Sequence, residues 1–154
     1  MTHATGCVVP PDTVQRSCLR WYEINPVSKT VLQQSTVGYP GTHFYYPAIA
    51  ANANGDMTLA FSASATNSYV GVYFMGRRPS DPVNHLSGAF YLLQPGNGCY
   101  YRPYAGGNYV GARSAVALDP TDNLSFWLTG TFTGGGYSNC PSNGWGTWLG
   151  RLTW

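Results

Sequence analysis

The sequence predicts an all-β chain built from repeated, antiparallel four-stranded units, and three observations lead there. First, aromatics make up 15% of the chain and charged residues only 9%, with 19 glycines and Lys29 as the single lysine. That balance supplies strands and turns, and no window offers Ala, Leu, Glu, Lys and Arg at helical spacing. Second, the segment from Ala48 to Ser62 (AIAANANGDMTLAFS) lies over Ala115 to Thr129 (AVALDPTDNLSFWLT) without a gap, at an offset of 67 residues. Each copy reads as a strand, an Asn/Asp/Gly turn and a second strand, the signature of a hairpin. Third, strands alternating aromatic or aliphatic residues with smaller ones recur at Arg20–Ile24, Val70–Arg77 and Trp145–Leu152. A further strand follows the first two of these, at Val31–Val37 and Gly88–Leu93.

With the four strand positions named A to D, the chain reads C–D, then A–B–C–D, then A–B–C. Four antiparallel strands per unit is the blade of a β-propeller, here two to three blades, and a β-sandwich is the alternative. Residues 1–38 form the end of one blade, 39–95 a full blade and 96–154 a partial one. Since a ring takes ~4–8 blades, other blades or identical subunits are expected partners.

Composition also excludes classes. The eight basic and six acidic residues are scattered, so no basic footprint for nucleic acid is visible. No apolar stretch reaches the ~18–20 residues of a membrane span. The start, MTHATGCVVPPDT, has no basic region followed by an apolar one and is not read as a signal peptide. Four cysteines, Cys7, Cys18, Cys99 and Cys140, match no zinc or redox spacing. Their even number favours disulfides and a secreted, extracellular protein, with free buried thiols as the alternative. Of three connectivities, Cys7–Cys18 with Cys99–Cys140 is preferred, because Cys99 and Cys140 fall in loops expected on one face.

From Asn108 to Trp154 the chain resembles a group of secreted, largely uncharacterised bacterial β-propeller proteins with a sialidase-like architecture. The matching residues are Asn108, Gly111, Ser114, Asp119-Pro-Thr-Asp122, Phe126-Trp127 and the run Trp145–Leu152. Upstream, His43–Pro47, Asn54-Gly-Asp56, Gly76-Arg77 and Asp81-Pro82 extend the resemblance over roughly residues 20–154. The group's motif N-R-W-G-D-Y-S is degenerate here, with Tyr109, Val110, Ala112 and Arg113 where the group has Arg, Trp, Asp and Tyr. The resemblance implies a fold more than an activity.

Strand order puts the D–A and B–C loops on one face, and aromatics collect there. Tyr39, His43, Tyr45, Tyr69, Tyr101, Arg102, Tyr104, Asn108, Tyr109, Arg113, Tyr137 and Trp145 are the candidate ligand-binding residues. Tyr and Trp offer apolar faces with polar tips, which suit sugar rings and peptides. Their alternative use is to close blade ends. On the opposite face, Asp56 with Arg77 and Asp122 with Arg151 are expected to pin each A–B turn to its C strand by charge-assisted hydrogen bonds. Asn52, Asn54, Asp56, Asp119 and Asp122 have a calcium-loop flavour but lack a bidentate acid, so hairpin turns are the better reading. His3, His43 and His85 have no metal spacing, and no cofactor motif is present.

The acidic residues Asp12, Glu23, Asp56, Asp81, Asp119 and Asp122 do not form an evident catalytic pair, and no nucleophile elbow appears. No catalytic residue is assigned. The expected function is an extracellular binding module for a glycan or protein ligand. A fragment of a propeller-type glycoside hydrolase and a structural assembly unit are the alternatives.

Overall fold

A computed structural model describes residues 1–86, 89–104, 107–108, 110, 113–134 and 144–154. Among them every regular element is a strand, arranged in three larger antiparallel sheets and one small hairpin. The first sheet holds β1 (Thr2–Cys7), β2 (Arg16–Asn25) and β3 (Thr30–Val37) in that order. The central sheet runs β4 (Thr42–Ala51), β5 (Met57–Ala65), β6 (Ser68–Arg77) and β7 (Tyr91–Gln94). After the hairpin of β8 (Pro103–Tyr104) and β9 (Gly107–Asn108) comes the third sheet, of β10 (Ala115–Leu118), β11 (Phe126–Thr133) and β12 (Trp145–Leu152).

The sheets stack on both faces of the central one. Along β5, Met57, Leu59, Phe61 and Ala63 join Leu19 and Trp21 of the first sheet in one core. The intervening Ala60 meets Phe126 and Leu128 of the third sheet in another. Because β5 is covered on both sides, its residues 57–63 are all buried, and its small residues Thr58, Ala60 and Ser62 let the third sheet approach closely. Each fully buried Phe or Leu here contributes roughly 1.5–3 kcal/mol. Both β1 and β10 lie against β4, so the sheets fan out from that strand. The two outer faces differ. The first sheet's is polar, with the Arg20 guanidinium donating to Tyr22, Gln34 and Thr36, while the third sheet exposes Trp127, Trp145 and Leu149.

Three features depart from the sequence reading. Strand β1 was not anticipated, because Thr2, Ala4 and Gly6, which pair with Trp21, Leu19 and Ser17, carry no apolar alternation. Strand β4 starts at Thr42, and a bulge between Tyr45 and Ala48 interrupts its pairing with β5. The two Gly-Arg pairs are also not equivalent. Gly76 stands opposite Thr58, whereas Gly150 stands opposite Leu128, whose counterpart in the repeat is Phe61. Gly76 is required by a different neighbour: a Cβ there would lie 1.9 Å from the Trp154 ring, whose indole N–H donates to Thr58 Oγ1.

Candidate functional site

At the end of the central sheet that carries the β3–β4 and β5–β6 connections, a cleft of about 380 Å³ opens between the sheets. Its lining comes from four strands and one loop: Ser17, His43, Tyr45, Tyr46, Ser64, Val70 and Val110. Adjacent residues of a regular strand point to opposite sides of the sheet. Tyr45 and Tyr46 both reach this cleft because the bulge inserts between Tyr45 and Ala48 and puts Tyr46 in the left-handed region, at φ 55°. Such a conformation costs a bulky residue of order 1–3 kcal/mol and recurs at ligand sites. The two rings meet edge-on, with centroids 5.2 Å apart.

His43 is held between two donors. Arg16 Nη1 approaches its Nε2 at 3.3 Å and the Ser17 amide its Nδ1 at 3.4 Å, and a neutral imidazole accepts at only one of them. Arg16 itself is ion-paired with Asp12, whose carboxylate also accepts the Gly41 amide at 2.7 Å. The Arg16 and Gly41 hydrogen bonds hold the Asp12 carboxyl below its usual range, and Asp12 raises Arg16 in turn. The Cys7–Cys18 disulfide ties this corner together and presses on Gly38, where a Cβ would lie 2.7 Å from Cys18 Sγ. Burial pushes the Tyr45 hydroxyl up to about 12, against the opposing hydrogen bond from Ser64. Tyr45 therefore stays protonated at physiological pH, and the cleft presents neutral hydroxyls, an imidazole and two aromatic rings. None of the six carboxylates lines it among the described residues.

Of the predicted ligand-binding residues, the cleft unites His43 and Tyr45. Tyr39 is half-exposed elsewhere and packs edge-on against Phe90 at 5.2 Å. Tyr69 is exposed at the start of β6, and Tyr101, Arg102 and Arg113 are exposed around the β8–β9 hairpin. Trp145 opens β12 on the outer face of the third sheet, away from the cleft lining. Tyr104 and Asn108 sit in β8 and β9, and Tyr109 and Tyr137 lie outside the described residues. Cys99 is disulfide-bonded, and its expected partner, Cys140, also lies outside them. Sequence reasoning missed Ser17, Tyr46, Ser64, Val70 and Val110. Tyr46-Pro47 carried a usable signal, since proline within a strand marks a bulge or an edge.

The Asp–Arg pairing on the opposite face forms in one sheet only. Arg151 Nη2 donates to Asp122 at 2.7 Å and its Nε to Asp119 at 2.8 Å. Asp56 and Arg77 form no such pair. Asn52 holds Asp56 within its own turn, through its side-chain amide on the carboxylate and its carbonyl on the Asp56 amide. Arg77 turns instead to the backbone carbonyl of Asp81.

No protein-family description, no curated protein and no solved structure matches the chain.

Proposed function

We propose that the chain is part of an extracellular binding module that takes a neutral, hydroxyl-rich ligand, a glycan, in the cleft between Tyr45, Tyr46 and His43. The bulge that turns Tyr46 beside Tyr45 carries this reading, because it spends backbone energy to place two rings on one concave surface. Aromatic faces stack on sugar rings, and the Tyr45, Ser64 and Ser17 hydroxyls supply neutral donors and acceptors. A concave cleft of about 380 Å³ fits one or two sugar units better than a flat protein surface. Export is part of the same reading, supported by the Cys7–Cys18 disulfide.

Successive blades of a propeller is the finer architecture we favour. It is supported by the sheets fanning from β4 and by Trp127 and Leu149, which a neighbouring sheet would cover. An assembled protein with anything other than an antiparallel sheet on that face would overturn it.

A glycan array followed by calorimetric titration tests the function. Tyr46→Gly removes one ring while tolerating the left-handed backbone, so it is expected to weaken the glycan selected by up to about tenfold without lowering Tm. No glycan retained on the array, or equal affinity in Tyr46→Gly, would refute the reading.

A further inference from the structure

At the other end of the central sheet lies a cleft with different chemistry. Arg77, the last residue of β6, is only 6% exposed, yet no carboxylate pairs with it among the described residues. Its Nη2 donates to the Asp81 carbonyl at 2.9 Å, and its buried Nε has no partner among the described residues. A guanidinium keeps its charge in proteins, and a buried charge without a counter-ion is costly. Arg16 and Arg151, by contrast, are each matched to aspartates.

Arg77 lines a cleft of about 310 Å³ between the first and central sheets. Its walls include Ile24, Ile49 and Met57, with Gly55 in the adjoining turn and the exposed Glu23 also contributing. A small anion alone would leave those walls wet, and a neutral aliphatic molecule would leave the charge unmatched. We propose that this is a carboxylate-binding site, with Arg77 holding the acid group and Ile24, Ile49 and Met57 a short aliphatic tail. The same chemistry is offered by a free short-chain acid and by the aliphatic C-terminal residue of a peptide. This site is independent of the Tyr45–Tyr46 cleft, which lies at the opposite end of β5 and β6.

The test titrates the intact chain with isovalerate, N-acetylvaline and isovaleramide at matched ionic strength, following the Met57 methyl resonance and Tm. Isovalerate and N-acetylvaline are expected to shift both and the amide neither. Binding of both acids identifies any aliphatic carboxylate as sufficient, and binding of N-acetylvaline alone identifies a peptide C-terminus. Arg77→Met is expected to weaken binding about tenfold or more, the scale of a lost charge-assisted hydrogen bond. Glu23→Gln removes a like charge and is expected to tighten it about two- to threefold, the range of an exposed charge interaction. Ala51→Trp, at an exposed position of the same lining, fills the cleft without touching Arg77 and should block binding even if Arg77→Met folds poorly. Binding of isovaleramide equal to the acids, no response to either acid, or undiminished binding in Ala51→Trp overturns the proposal.

Discussion

Arg77 and Arg151 follow the same dipeptide step, Gly-Arg at the end of a third strand, and the fold treats them in opposite ways. Arg151 faces solvent, its side chain 44% exposed, between two aspartates. Arg77 is buried, and among the described residues its guanidinium bonds only the Asp81 backbone carbonyl. The cause is register. Relative to the repeated hairpin, Gly76-Arg77 sits three residues from where Gly150-Arg151 sits on its ladder. An odd displacement along a strand moves a side chain to the other face of the sheet. One arginine thus became a surface clasp and the other a buried charge. Arg16 is a third case, since Asp12 neutralises it inside the loop closed by the Cys7–Cys18 disulfide.

Altering the Arg16 corner should have the largest effect. Cys7→Ala with Cys18→Ala removes a cross-link over a separation of 11 residues and should cost about 2–3 kcal/mol in urea unfolding. A loss well below that range would mean that Asp12, Arg16 and Gly41 hold the loop without the disulfide.

Next comes a difference in sign. Arg77→Met trades an unmatched buried charge for apolar volume and should raise stability by about 1–3 kcal/mol. Arg151→Met should instead lower Tm slightly, because it leaves two carboxylates side by side. Destabilisation by Arg77→Met in ligand-free protein would show that the Asp81 carbonyl contact outweighs the unmatched charge.

The smallest effect is on acid stability. Two backbone amides, from Ser125 and Leu124, lead in pulling the Asp122 carboxyl down from 3.8 to about 2. Thr121, first through its hydroxyl and then through its amide, lowers Asp119. A carboxyl whose folded value is depressed stabilises the fold above its unfolded value, and that contribution disappears as pH falls through the folded one. The chain should therefore lose stability between about pH 4 and pH 2, the interval set by the ordinary and shifted Asp122 values. Asp122→Asn should flatten the slope there, and an unchanged slope would remove Asp122 as its source.

The turns and the strands around them were legible because their signals are local. Asn52 to Asp56 and Asp119 to Ser125 carry turn chemistry that binds its own backbone: the Asn54 and Asp56 amides donate to the Asn52 side chain, the Thr121 amide to Asp119 and the Leu124 amide to Asp122. Cys7 and Cys18 are similarly close in sequence, and their pairing needs only that β1 return as β2. The candidate site was half legible. His43 and Tyr45 stood out by residue type, whereas Ser17, Ser64 and Val70 are ordinary residues of separate strands.

Composition and local pattern were enough to make this an all-β chain, to place its hairpins and to gather aromatic residues into its loops. Each of those properties depends on residues within a few positions of one another. The bulge that swings Tyr46 beside Tyr45, the cover over both faces of β5 and the burial of Arg77 depend instead on which strands pair and in what register. Register is a property of two strands at once, set by how their side chains pack against a third layer, so tertiary structure alone decided which aromatic rings share a cleft and which arginine lost its partner.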